Sequence, residues 1–260
     1  MEELLKYESL EVAFEGRPVI RGVSFSLFPG EILGIVGESG SGKSTLLKAA
    51  VGLLGGAGQV TGGRILLKGR NLTKLSPKEM QKIRGSGIGM IFQDAGASFC
   101  PIRTIGAQIC ESMAVHGKGN KREAKEKAIR LFEKLQLKDG ERIWNSYPFE
   151  LSGGMSQRVG IAAAMLLEPP VLLADEPTSA LDVAVQRQAV EEMLALRESF
   201  GAAILLVTHD IGVAAAMADR LLVLKDGQEV EQGEAEQILR APGEAYTRKL
   251  LAAVPRLRRR

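Results

Sequence analysis

Apolar and polar positions alternate along Leu10 to Phe14 and Val23 to Leu27, with Val23, Phe25 and Leu27 on one face, which predicts two half-buried strands. Pro29-Gly30 then turns the chain into Ile32 to Val36, an unbroken apolar run of the kind that forms a fully buried strand. Three further runs have the same character: Ile88 to Phe92, Val171 to Ala174 and Ala203 to Val207. Each stops at polar residues, respectively Gln93-Asp94, Asp175-Glu176-Pro177 and Thr208-His209-Asp210. In open α/β sheets the ends of the strands are where ligands are held. A short strand is expected over Arg64 to Lys68, after the glycine-dense connection GLLGGAGQVTGG, and Arg220 to Lys225, Asp226-Gly227 and Gln228 to Glu231 read as a hairpin.

Helical spacing takes over elsewhere. Ser44 to Val51 forms one helix, and Ser76-Pro77 caps another over KEMQKIR. Strand signals vanish from Ala95 to Leu151, where Ile105 to Val115 and Arg122 to Leu135 are amphipathic; Ala128, Leu131, Phe132 and Leu135 lie on the apolar side of the second. This stretch reads as a helical insertion. A helix opens at Leu151 to Arg158, another is capped by Ser179-Ala180-Leu181-Asp182 and runs towards Phe200, and two short ones lie at Glu234 to Leu239 and Tyr246 to Leu251. The fold class is α/β with an antiparallel β edge and an inserted α-helical subdomain.

The chain has 260 residues, enough for a sizeable core, and its formal net charge of +3 gives no reason to invoke nucleic acid; only the tail Arg256, Arg258, Arg259 and Arg260 is locally basic. Cys100 and Cys110 match no metal or redox spacing, so reduced thiols are expected. His116 reads as an exposed loop histidine without partners for a metal. The acidic N-terminus lacks the pattern of a signal peptide, and no apolar run approaches the roughly 18 residues of a membrane helix. A membrane role would come through a partner.

Chemistry enters at Gly37 to Thr45. The stretch GESGSGKST (Gly37, Glu38, Ser39, Gly40, Ser41, Gly42, Lys43, Ser44, Thr45) fits G-x-x-x-x-G-K-[ST] and sits between a strand and a helix, the setting a phosphate-binding loop needs. Its glycines let backbone N–H groups face phosphate oxygens, and the helix start adds partial positive charge. Lys43 would reach the β and γ phosphates and the Ser44 hydroxyl would sit on Mg²⁺. Ser152, Gly153 and Gly154 open a second helix and would present free N–H groups to an anion. Ser152 is not read as a nucleophile, since G-x-S-x-G is absent. Asp175 and Glu176 suit a division of labour between holding Mg²⁺ and acting on water. Phe14 is suited equally to stacking on an adenine ring or to packing in the core.

Taken together, these residues resemble the ATP-binding subunit of an ABC transporter, over nearly the whole chain. The resemblance rests on GESGSGKST, Gln93 (the Q-loop), LSGGMSQR (the signature), VLLADEP (Walker B), SALD (the D-loop) and Thr208-His209-Asp210 (the switch histidine), in that order. It implies a P-loop NTPase core of RecA-like type, with 1–94 and 154–240 as the two parts of the nucleotide-binding core. Residues 95–153 would be the helical subdomain ending in the signature, and 241–260 a C-terminal helix and basic tail. Catalytic roles fall on Glu176, His209 and Lys43. ATP would be bound by residues 37–45, Phe14 and Gln93, and Mg²⁺ by Ser44, Gln93 and Asp175.

The resemblance further implies two cassettes paired head to tail, so that Ser152, Gly153, Gly154 and Gln157 complete the partner's site. The expected partners are a second, different ABC ATPase subunit, two transmembrane permease subunits docking between Gln93 and the helical insertion, and indirectly an extracytoplasmic substrate-binding protein, at the cytoplasmic face of the membrane. ADEPTSALDVAVQRQ, LLVTHDIGVAA and DGQEVEQG through AYTRKLLAAVP are similar to the peptide and nickel importer group. SFCP and PGEAYT depart from that group's usual SLNP and Pro-x-His-Pro-Tyr-Thr, and Phe149 is similar to nickel-type members, which favours nickel or metal-chelate uptake over peptides. The alternative is a soluble ABC ATPase acting on nucleic acid or ribosomes, but the coiled-coil insertion or second cassette of such proteins is missing from this sequence.

Overall fold

The structure, a computed structural model, describes residues 2–179 and 183–253. In chain order it begins with β1 (Leu5–Phe14), β2 (Arg17–Leu27), β3 (Ile32–Val36), α1 (Lys43–Ala50), β4 (Gly58–Leu67), β5 (Arg70–Asn71), α2 (Pro77–Ile83) and β6 (Ile88–Ile91). Then come α3 (Ile105–Val115), α4 (Lys121–Lys134), α5 (Gly140–Asn145), α6 (Gly153–Met165) and β7 (Val171–Asp175). The chain closes with α7 (Val183–Phe200), β8 (Ala203–Thr208), α8 (Ile211–Met217), β9 (Arg220–Lys225), β10 (Gln228–Glu234), α9 (Ala235–Arg240) and α10 (Ala245–Ala252). It divides into two units, 1–80 with 203–260, and 81–202.

The first unit holds two sheets. In one, β1 lies between β2 and β4, antiparallel to both, and β4 also pairs with β5. The glycine-dense connection of the sequence is therefore partly strand, because residues 58–63 extend β4 along β1, where the partner backbone supplies the order that local propensity withholds. The β1–β4 register shifts between Glu8 and Glu11, with Gly62 and Gly63 facing the irregularity. Tyr7 stacks on Phe25 with ring centroids 4.2 Å apart, and its buried hydroxyl donates to the Leu46 carbonyl at 3.0 Å, fastening α1 to this sheet.

In the other sheet β3 is flanked in parallel by β8 and β9, and β10 pairs antiparallel with β9. All five residues of β3 and all six of β8 are buried, as unbroken apolar runs require in a sheet covered on both faces. Val36, Ile211, Ala214, Leu221, Val223, Ala235 and Ile238 form a core on which α8 and α9 rest.

The second unit pairs β6 with β7 in parallel, Ile91 opposite Ala174, and carries the helices α3 to α7. The absence of strands between Ala95 and Leu151 agrees with the sequence, but the region has a third helix, α5, capped by Asp139. Trp144 of α5 covers Gly106 of α3, where a Cβ would collide with the indole. That packing, rather than any local periodicity in so short a segment, makes α5. Among the described residues no helix is long and apolar enough to cross a membrane.

Candidate functional site

In the first unit, the loop that leaves β3 is built from close approaches. A Cβ on Gly37 would run into the Leu224 carbonyl oxygen and stand 2.9 Å from Ser41 Oγ, so only glycine lets β9 come this near. Gly42 has φ 100°, in the left-handed region, and is the N-cap of α1; a Cβ there would meet Ile20 Cδ1 at 2.6 Å. Among the described residues no side chain caps α1; the Gly42 carbonyl takes the N–H groups of Thr45 and Leu46 at 3.1 and 3.2 Å. Lys43, only 5 % exposed, curls back to donate from Nζ to the Gly37 carbonyl at 2.9 Å and the Glu38 carbonyl at 2.8 Å.

Among the described residues Ser41 Oγ is buried and has no hydrogen-bond partner, while Glu38, Ser39 and Gly40 are exposed and Ser44 and Thr45 half-buried. A concave backbone with a cation, a buried hydroxyl lacking an acceptor and a helix start can hold a polyphosphate. His209 follows Thr208, which is level with Val36 in the paired strands β8 and β3. The exposed His209 thus leaves the same edge as Gly37, one strand over. Asp210 caps α8 by accepting from Gly212 N–H at 2.7 Å and Val213 N–H at 3.3 Å, which fixes the backbone beside the histidine. Phe14, at the end of β1, is half-buried, and a Cβ on Gly58 would approach its ring to 2.8 Å. It therefore lies over backbone with part of its surface free.

In the second unit, Gln93 and Glu176 follow the level pair Ile91 and Ala174, and Gln93 Nε2 donates to Glu176 Oε2 at 3.3 Å. Asp175 is 4 % exposed at the end of β7. Glu176 has φ 46°, a left-handed conformation that costs a side-chain-bearing residue about 1–3 kcal/mol and is typical of residues aimed for a purpose. Ser179 Oγ donates to the Glu176 carbonyl at 3.1 Å and helps to hold that turn. The rest of SALD, residues 180–182, and the arginines of the tail lie outside the described residues.

The signature segment is disposed differently. Ser152 is the N-cap of α6, accepting from Met155 N–H at 3.4 Å, and it and Gly153 are exposed. Gln157 is buried, and its Nε2 donates to the Pro177 carbonyl at 2.6 Å. Of the four residues expected to face a partner, Gln157 thus directs its amide within its own chain, beside the Asp175-Glu176 turn. Among the described residues no group of three or more His, Cys, Asp or Glu could hold a metal. A divalent ion here would depend on the phosphates it accompanies, together with hard oxygen donors.

Three supports of the site are invisible in sequence: Gly227 N–H donating to the Ser41 carbonyl at 3.0 Å, Glu38 N–H donating to the Tyr246 hydroxyl at 3.3 Å, and Gln157 bound to Pro177. The hairpin turn Asp226-Gly227 and the segment PGEAYT stand out in the chain as motifs, but nothing in either points to the phosphate loop.

Comparison with known proteins shows the family. The family model described as ABC transporter matches residues 20–179. The chain is 42 % identical to a probable peptide ABC transporter ATP-binding protein, y4tR, of Sinorhizobium fredii, over 98 % of this chain and 78 % of that one. It is 44 % identical to the oligopeptide transport ATP-binding protein AmiE of Streptococcus pneumoniae, over 92 % and 67 %, and 43 % identical to the dipeptide transport ATP-binding protein DppD of Bacillus subtilis, over 99 % and 78 %. Among solved structures it resembles the dimeric ATP-binding cassette MJ0796 in a post-hydrolysis state bound to ADP and Pi, with a TM-score of 0.78 and 30 % identity over 89 % of this chain and 98 % of that one. On the family model and these relatives, the chain belongs to the ABC transporter family as an ATP-binding subunit, an ATP hydrolase coupled to transport.

Proposed function

We propose that the chain powers an importer of peptide-class solutes from the cytoplasmic face of the membrane, paired head to tail with a second, different cassette and seated beneath two permease subunits. The observation that carries the transport reading is a groove of about 420 Å³ in the second unit, lined by Gly96, Ala97, Phe99, Pro101, Pro148 and Phe149. It begins three residues after Gln93, and Phe149, 73 % exposed, stacks on Tyr147 at its rim with centroids 5.5 Å apart. Exposed aromatics beside an apolar groove are the usual anchors of a protein interface. A short helix of a permease fits this place.

In this proposal ATP lies on residues 37–45, with Phe14 against the base and His209 by the γ phosphate. Glu176 acts on the attacking water, and Ser44, Gln93 and Asp175 would hold Mg²⁺, which would neutralise phosphate charge. Ser152, Gly153 and Gly154 complete the partner cassette's site, with Gln157 behind them tying the signature helix to Pro177, and the partner's own signature segment closes this one. The relatives named above carry peptides, oligopeptides or dipeptides in their names, and this supports a peptide-class solute. The Phe149 signal for nickel has no counterpart in those names. A substrate-binding protein outside the membrane would deliver the solute.

The test is Phe149→Asp in the assembled transporter. Basal ATP hydrolysis by the isolated chain should stay within about twofold, since surface substitutions away from a site change little. Stimulation by the loaded receptor should disappear. Full stimulation in this variant would reject the groove as the docking place.

A further inference from the structure

One peptide group of the phosphate loop is held from both of its polar ends. The carbonyl of Gly37 accepts from Lys43 Nζ at 2.9 Å, and the N–H of the same planar unit, on Glu38, donates to the Tyr246 hydroxyl at 3.3 Å. A peptide engaged as a donor is polarised and becomes a better acceptor at its carbonyl. The phenol therefore acts on the anchorage of the ammonium that is to meet phosphate, across 208 positions of sequence.

The helix that brings the phenol there is itself fixed. Glu231 on β10 accepts from Gly243 N–H at 2.7 Å and Glu244 N–H at 3.3 Å, just ahead of α10. Burial pushes the Glu231 carboxyl up, but these two N–H groups and the nearby Arg248 help to hold the group below the usual carboxylate value. Thr247 is 1 % exposed, so α10 is seated by this residue and by Glu231 without help from the Tyr246 hydroxyl. The Tyr246 ring lies under Lys225 Nζ, 5.0 Å from its centroid. Lys225 ends the strand whose turn gives Gly227 N–H to the Ser41 carbonyl. A Cβ on Gly227 would run into the Val19 carbonyl oxygen, so that turn is wedged against β2.

We propose that Tyr246 is a positioning residue for ATP binding: its hydroxyl sets the Gly37-Glu38 peptide, and through it the place of Lys43, before the nucleotide arrives. The C-terminal helix thereby becomes part of the phosphate loop's support. This rests on the reading of residues 37–45 as the loop that takes ATP.

The test uses Tyr246→Phe in the full chain, which keeps the ring under Lys225 and removes one oxygen. Losing one neutral hydrogen bond should raise Kd for labelled ATP, and KM in hydrolysis, about three- to tenfold. With the chemistry untouched, kcat should stay within about twofold. Thermal unfolding should be unchanged, which separates positioning from a merely structural part. Wild-type Kd and KM, or a fall in kcat at unchanged Kd, would overturn the proposal. Should Tyr246→Phe not fold, Glu231→Gln decides instead: by loosening the start of α10 it should weaken ATP binding in the same direction, and unchanged binding would overturn the proposal. Lys43→Ala separates the two levels. If it binds ATP normally, the loop reading itself fails; if it loses ATP while Tyr246→Phe does not, only the role of the phenol fails.

Discussion

Two helices of this chain begin at glycine-rich loops able to receive an anion, and they differ in how far the chain itself completes them. The loop before α1 is closed in: Gly37 is pressed against β9, Lys43 is buried on loop carbonyls, and Gly227 and Tyr246 brace it from behind. The loop before α6 is open: Ser152 and Gly153 are exposed, and a Cβ on Gly153 would have nothing within 4 Å. The helix is tied further along, by Gln157 to Pro177 and by the Arg158–Glu192 ion pair. A loop braced by its own chain can bind nucleotide alone, whereas one left open at its polar end waits for a surface brought by another molecule.

Four outcomes would break or sharpen that contrast. The largest concerns hydrolysis at the closed loop: Glu176→Gln should lower kcat by roughly 10²- to 10⁴-fold, the range for a lost general base, with ATP titration unchanged. Normal turnover would move the base elsewhere. Next, Lys43→Ala should weaken binding of labelled ATP by about 10²-fold, since it deletes a charged donor to phosphate.

Third, Gly37→Ala should cost about 1–3 kcal/mol in chemical denaturation through overpacking against Leu224, and should distort the loop enough to abolish ATP binding. Tolerance of alanine there would show that β9 does not press on the loop. The smallest effect on the chain itself is expected of Gly153→Ala. Unfolding should change by no more than about 0.5 kcal/mol, and ATP binding by the isolated chain should not change at all. In the assembled pair, however, turnover at the partner's loop should fall. A pair that is indifferent to this methyl group would show that the open helix start does not complete another site.

Much of this was legible in sequence because it depends on local pattern. The buried runs Ile32 to Val36, Val171 to Ala174 and Ala203 to Val207 are strands, with β7 and β8 each one residue longer at the polar end. The helix over Ile105 to Val115 has the expected bounds. β1, β2 and β4 are all longer than their alternation suggests, because antiparallel partners extend them over positions with little strand preference of their own.

The sequence by itself determined the chemistry on offer: a phosphate loop, two carboxylates after an apolar strand, a serine and glycines at a helix start, and a histidine at a sheet edge. These are short-range facts, since each needs only a strand or helix with the right residue at its end. Tertiary structure alone decided which of these groups are held and by what. Tyr246 reaches Glu38, Gly227 reaches Ser41, and Gln157 turns inward to Pro177 while Ser152 stays exposed. No local pattern can encode such choices, because each hydrogen bond joins segments that only the folded chain brings within reach.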